Sequence, residues 1–270
     1  MDPSSPILAG FVGSLIAGLG TGLGALPIFV RSEWSKDAQR LMLAVAAGMM
    51  LGATFFSLLA PALVLVEQRG GSSMSAVATV SLGVLLGALA LWAAHAAVPH
   101  EHFSKGREGS SAFDLGRNTL FVLAIVLHNV PEGLSVGVAY GVEASATGHA
   151  VMLSILAQNV PEGLAVAAAL IAGGTARGRA FVLALATGLV EPLGGLVGAL
   201  AVSTSEALLP WGLAFAAGAM LFVVSGEVIP ETHVEGRERR ATFATIVGFI
   251  AMMAVAVMLG DGDPLVGNAR

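Results

Sequence analysis

The chain has 270 residues, of which 56% are hydrophobic and only 11% charged, against about 25% charged in a typical soluble domain; that composition excludes a water-soluble globule and implies a polytopic membrane protein. There is no cysteine, which removes disulfide staples and thiolate metal sites. The net charge of -5 says little about partners, and no basic patch interleaved with aromatic residues offers itself to nucleic acid.

Eight stretches reach the roughly 20 apolar residues that a helix needs to cross a bilayer, near 7–30, 41–66, 76–98, 118–140, 149–172, 180–202, 208–230 and 241–260. The first has no basic region before it and reads as a span, not a cleavable signal; it carries Thr21-Gly22-Leu23. The second contains Leu43-Ala44-Val45-Ala46-Ala47-Gly48-Met49-Met50-Leu51. The third ends in His95 and leads into a loop with His100-Glu101-His102, which reads as a solvated loop. The fourth holds His128-Asn129-Val130-Pro131-Glu132-Gly133-Leu134, and the fifth nearly repeats it as Gln158-Asn159-Val160-Pro161-Glu162-Gly163-Leu164. The sixth carries Thr187-Gly188-Leu189 and then Glu191-Pro192. The seventh contains Leu213-Ala214-Phe215-Ala216-Ala217-Gly218-Ala219-Met220-Leu221 and ends with Glu227, Glu231 and His233. The eighth contains no charged residue. Trp34, Trp92 and Trp211 fall near span ends, as interfacial anchors do, and His149 falls at the outer end of the fifth span.

The basic residues orient these spans. Eleven of the thirteen Lys and Arg lie in the loops after spans one, three, five and seven, leaving Arg69 and Arg270 for the other side. By the positive-inside rule those loops are cytoplasmic and both termini are outside. Spans two and seven resemble each other and cross in opposite senses, as do four and five, and the Thr-Gly-Leu of span one echoes that of span six. The expected architecture is therefore an all-α membrane protein with eight transmembrane helices in a 3+2+3 inverted repeat, forming one transporter domain over residues 1–270. Such repeats commonly hold a substrate near the midplane.

Residues four apart share one face of a helix, so His128 and Glu132 point together, with Asn129 beside them; Gln158, Asn159 and Glu162 repeat the layout. Four carboxylates, Glu132, Glu162, Glu191 and Glu227, fall within spans that contain no Lys or Arg. Three of them at mid-bilayer would cost roughly 8–10 kcal/mol if charged and unpaired. A divalent cation offsets several such charges at once. One imidazole with carboxylates and amide oxygens suits Zn²⁺, Mn²⁺ or Fe²⁺ better than Cu⁺, and the donors suffice for two adjacent ions bridged by Glu132 and Glu162. Pro131 and Pro161 free the carbonyls of Leu127 and Ala157, which reads either as a packing kink or as part of an ion-handling element.

These motifs resemble the ZIP (Zrt/Irt-like) divalent metal transporters, whose fourth span carries HNxPEG; the Gln-Asn-Val-Pro-Glu-Gly of the fifth span looks like the prokaryotic GufA-like branch. The resemblance covers essentially the whole chain. It implies a primary metal site of His128, Glu132, Gln158 and Glu162, and a second site of Asn129, Asn159 and Glu191 with the shared glutamates. Glu227, Glu231 and His233 with His95 read either as a cytoplasmic exit path, which the resemblance supports, or, for Glu231 and His233, as ordinary interfacial groups at a helix end. The resemblance also implies metal sensing for His100-Glu101-His102 as the alternative to a solvated loop, and movement of spans one, four, five and six against the rest. Met50 and Met220, at matching repeat positions, either line the path or fill space.

The expected function is uptake of a divalent transition metal into the cytoplasm by alternating access, with zinc as substrate and Cd²⁺, Mn²⁺ or Fe²⁺ as alternatives. The expected location is the plasma (inner) membrane, multi-pass, with the lipid bilayer and the metal ion as partners and a homodimer as one admissible assembly. No GxxxxGK[ST] motif offers ATP coupling. The competing readings are an intramembrane metal-dependent hydrolase, which lacks an HExxH motif, and a sensor or pore built on the same residues.

Overall fold

A backbone surrounded by lipid must satisfy its own hydrogen bonds, and the helix does so within one segment. The computed structural model describes residues 5–31, 34–102, 106–108, 116–141, 146–233 and 236–259. Among these it contains eight helices long and apolar enough to span a membrane: α1 (Pro6–Phe29), α2 (Lys36–Gln68), α3 (Ser73–Ala97), α4 (Asn118–Tyr140), α5 (Thr147–Ala172), α6 (Arg177–Ser203), α7 (Glu206–Thr232) and α8 (Glu238–Met258). The expected spans are all found, mostly a few residues longer at their ends. Two three-residue strands, β1 (His100–His102) and β2 (Gly106–Glu108), pair antiparallel in the loop after α3.

Local chemistry fixes the helix ends. Ser35 and Ser72 accept hydrogen bonds from Ala38 and Ser75 at the starts of α2 and α3, both 3.2 Å. Gly70 and Gly174, at φ of +85° and +86°, close α2 and α5 in the left-handed conformation that favours glycine. Pro131 and Pro161 lie inside helices that continue past them.

The helices pack chiefly in four pairs: α1 with α5, α2 with α8, α3 with α7 and α4 with α6. Helices α4 and α5 are the most buried; α3 and α8 are the most exposed, presenting Leu85, Leu89, Phe243 and Val247 outward. An apolar exterior around a polar centre is the arrangement a bilayer demands. The close approaches are made by glycines, as is usual where lipid supplies no hydrophobic drive. A methyl group on Gly133 would collide with the backbone of Glu191, and one on Gly163 with that of Thr21. Gly194 abuts Val130, and Gly24 abuts Val160. Gly48 and Gly218 abut Thr245 and Val84, while Gly248 and Gly87 abut Val45 and Phe215.

Each of these contacts has its counterpart at a constant separation: 170 residues between α1 and α6 and between α2 and α7, 161 between α3 and α8, and 30 between α4 and α5. Two π-helical turns, Thr54–Leu59 in α2 and Val224–Val228 in α7, also begin 170 residues apart. This spacing corrects one sequence alignment. Thr21-Gly22-Leu23 is not matched to Thr187-Gly188-Leu189; the contacts match Thr21 to Glu191, four residues further on. A short motif in an apolar helix carries too little information to fix register, whereas backbone contact does.

Candidate metal centre

The twin motifs on α4 and α5 face each other in the middle of the bundle. His128, Asn129, Glu132, Gln158, Asn159, Glu162 and Glu191 are all buried, none more than 7% exposed. Gln158 Nε2 donates to Glu132 Oε1 at 2.9 Å and so ties α5 to α4. Asn159 Nδ2 donates to Glu191 Oε1 at 2.7 Å and to the Ala17 carbonyl at 2.9 Å, which ties α5 to α6 and α1. The structure therefore bonds Gln158 to Glu132 and Asn159 to Glu191, opens His128 and Glu162 to one cavity, and buries Asn129 beside His128 in the chain.

The polar atoms that remain are more telling than the bonds. Glu132 Oε2, both carboxylate oxygens of Glu162, Glu191 Oε2, Gln158 Oε1, Asn159 Oδ1 and the Asn129 amide are buried without a hydrogen-bond partner among the described residues. Buried polar atoms almost always find one. Here both Gln158 and Asn159 spend an N–H on a carboxylate and leave the amide oxygen over. The result is a cluster of oxygen acceptors in a region where the central segments of the surrounding helices (41–66, 118–140, 149–172 and 180–202) carry no Lys or Arg, a chemistry suited to a cation.

A second cluster lies beside the first. Glu227, on the π-helical turn of α7, has Oε2 2.5 Å from His128 Nε2 and Oε1 2.6 Å from His95 Nδ1. His95 Nδ1 is also 3.2 Å from His100 Nε2, and His100 Nδ1 donates to the Val98 carbonyl at 2.8 Å. His95, His100 and Glu227 thus converge closely enough to hold one ion. The sequence reading had offered His95 and Glu227 but left His100 in a solvated or sensing loop; the structure buries it completely. The available signal was the five-residue spacing from His95 across a helix end, which hydropathy does not read.

A cavity of about 680 Å³ runs from His128, Glu162 and Glu227 past Met50, Ile125 and Ala169 to Lys36, Arg40, Asn118 and Glu231 at the helix ends. It is lined from the halves of α2, α4, α5 and α7 that adjoin the basic loops. On the opposite side the Ser57 and Ser154 hydroxyl oxygens meet at 3.2 Å, with Val151 and Ile155 buried around them. Met50 lines the cavity, and Met220 is buried in the core away from it. Glu231 reaches the cavity, but His233 does not: its ring bonds Thr232 and Thr242 at 2.9 and 3.1 Å, tying the end of α7 to α8. The path assigned to His233 from its sequence position is thus not supported by its contacts.

The chain is similar to known proteins over most of its length. The family described as ZIP Zinc transporter matches residues 94–256. The chain is 51% identical to the zinc transporter GufA of Myxococcus xanthus, over 93% of this chain and 99% of that one. It is 44% identical to the zinc transporter ZIPB of Bordetella bronchiseptica over 89% of this chain and 78% of the relative. With the human zinc transporter ZIP11 it shares 32% identity, covering 89% of this chain and 94% of the relative.

Proposed function

Because the chain belongs to the ZIP zinc transporter family, we propose that its buried oxygen cluster is the transport site for a divalent metal, which moves through the protein into the cytoplasm. The protein is a multi-pass membrane transporter and not an enzyme; relatives over nearly the whole chain are named zinc transporters, and nothing supports the hydrolase alternative. The observation that carries the site is the set of buried oxygens on Glu132, Glu162, Glu191, Gln158 and Asn159 without a hydrogen-bond partner among the described residues.

Zinc is the substrate, with Cd²⁺, Mn²⁺ and Fe²⁺ as secondary cargo. His128, Glu132, Gln158 and Glu162 form the first site, whose imidazole favours zinc and cadmium. Asn129, Asn159 and Glu191, with the same two glutamates, form the second. From there the ion passes Glu227 and Glu231, assisted by His95 and His100, along the cavity to the basic loops. Those loops are cytoplasmic in this reading, and both termini lie outside a plasma (inner) membrane. The outward faces of α3 and α8 meet lipid or a second copy of the chain.

The paired glycine contacts and matching π-helical turns support an inverted repeat, with α1 to α3 related to α6 to α8 about the α4 and α5 pair. Such a duplication suits alternating access. A potential of about 100 mV, negative inside, favours entry of a divalent ion by roughly 4.6 kcal/mol, so no ATP-binding element is needed.

Uptake of Zn²⁺ and Cd²⁺ into proteoliposomes tests this reading. Wild type is expected to give saturable uptake that is lost in His128→Ala and Glu162→Ala while both variants remain folded. Folded wild type that binds metal at these residues but carries none would overturn it.

A further inference from the structure

Asn129 and Asn159 occupy matching places but have unlike partners. Asn159 on α5 donates to Glu191 of α6 at 2.7 Å. Asn129 on α4 has neither atom of its amide bonded within the described structure. The residue that stands to Asn129 as Glu191 stands to Asn159 is Thr21 of α1, and two independent contacts fix that equivalence. Gly133 of α4 rests on the backbone of Glu191, and Gly163 of α5 on that of Thr21. Where α1 and α6 cross at Gly18 and Gly188, a methyl on Gly18 would lie 3.4 Å from the Glu191 carboxyl carbon, and one on Gly188 would lie 2.8 Å from Thr21 Oγ1. The carboxyl group and the hydroxyl therefore flank the crossing on its two sides.

The state of that hydroxyl is unusual. Serine and threonine in helices normally return the hydroxyl to a carbonyl three or four residues back, as Ser14, Thr54 and Thr187 do here. Thr21 is completely buried, and its Oγ1 has no partner among the described residues.

We infer that Thr21 is a ligand of the second cation site, where its hydroxyl oxygen faces the ion from α1 across from Glu191 on α6. With Asn129, Asn159, Glu132 and Glu162 it completes a shell in which each half of the repeat supplies three side chains. This assignment rests on the transport-site reading given above and adds a residue to it. The shell contains oxygen donors only, so it selects harder ions than the site that includes His128. Thr21 in place of a second carboxylate leaves the shell one negative charge poorer than a symmetric one.

The absence of cysteine makes a direct test available. Purified Thr21→Cys protein is titrated with Cd²⁺ and the sulfur-to-cadmium charge-transfer absorption is followed in the ultraviolet. Leu23→Cys, two residues on and 57% exposed on the outer side of α1, is the control. Absorption that saturates with the second bound ion in Thr21→Cys, and is absent from Leu23→Cys and wild type, is the expected result. Calorimetry should find the second ion bound about tenfold more weakly in Thr21→Val and as in wild type in Thr21→Ser, with metal-free thermal unfolding unchanged. Cadmium bound by Thr21→Cys without the absorption, or a second ion held by folded Thr21→Val as tightly as by wild type, overturns the assignment. Wild type that binds no cadmium at all would instead bring down the transport-site reading, and this assignment with it.

Discussion

Glu227 Oε2 lies 2.5 Å from His128 Nε2, so the carboxylate and a metal compete for that ring nitrogen. A ring nitrogen donating its proton to a carboxylate 2.5 Å away has no lone pair for an ion, so a metal that takes His128 Nε2 must break this bond. Replacing Glu227 by Gln keeps the shape and removes the charge. A hydrogen bond to a charged group contributes about 1.5–3 kcal/mol and a neutral one about 1 kcal/mol. The competing bond to His128 is thereby weakened by about 0.5–2 kcal/mol. Zn²⁺ affinity at the first site should rise by roughly 2- to 30-fold, while uptake falls, because the ion is held harder and the next carboxylate on its way has gone. Calorimetry on purified protein reads the first quantity, and the initial rate of uptake into proteoliposomes the second. Affinity and rate falling together in folded Glu227→Gln would mean that Glu227 helps to bind the ion from the start, and would refute the competition.

Gly163→Ala drives a methyl into the backbone of Thr21; a thermal melt in detergent should show a loss of at least about 1–3 kcal/mol, and an unchanged melting temperature would mean that α1 and α5 are not held this close. Zinc at a hundred times its Kd should stabilise wild type by about 2.7 kcal/mol and leave Glu132→Gln/Glu162→Gln unmoved, which a melt with and without chelator checks. His100→Ala removes the contact to His95 at 3.2 Å without touching the oxygen cluster, so it should slow uptake and spare binding of the first ion; equal rates in mutant and wild type would exclude His100 from the path. Asp37→Asn breaks the half-exposed pair with Arg237, and, as with most surface pairs, the melt should change by less than about 1 kcal/mol and uptake hardly at all.

Much of this was readable in the chain because lipid imposes blunt rules. Length and hydropathy fix the spans, and the duplicated Asn-Val-Pro-Glu-Gly-Leu marks the facing helices, since polar groups are kept in a bilayer core only for use. What hydropathy misses is contact between residues far apart in sequence. Thr21 looks like one small residue among many, and only its backbone contact with Gly163 shows that it stands where α6 has Glu191. His100 reads as a loop residue until β1 carries it back under His95. His233, in contrast, looks like a pathway group by position, yet its ring is engaged by Thr242. The orientation of the Gln158 and Asn159 amides, on which the oxygen count depends, follows from which neighbours are carboxylates and is not written in any motif.

The π-helical turns of α2 and α7 start 170 residues apart, which sets Ser57 in the place that Glu227 occupies in the other half. The same bend of the backbone thus offers a hydroxyl on one side of the membrane and a carboxylate on the other. Such a difference cannot by itself pump anything. A carrier without a fuel obeys microscopic reversibility, so unlike side chains change how fast an ion is taken up or let go at each face and how much of the protein rests facing each way. In a carrier that couples to no second ion, net flow follows the electrochemical gradient of its cargo alone. Inserted the wrong way round in a vesicle, this protein should still carry its cargo downhill, only with the half-saturating concentrations of its two faces exchanged.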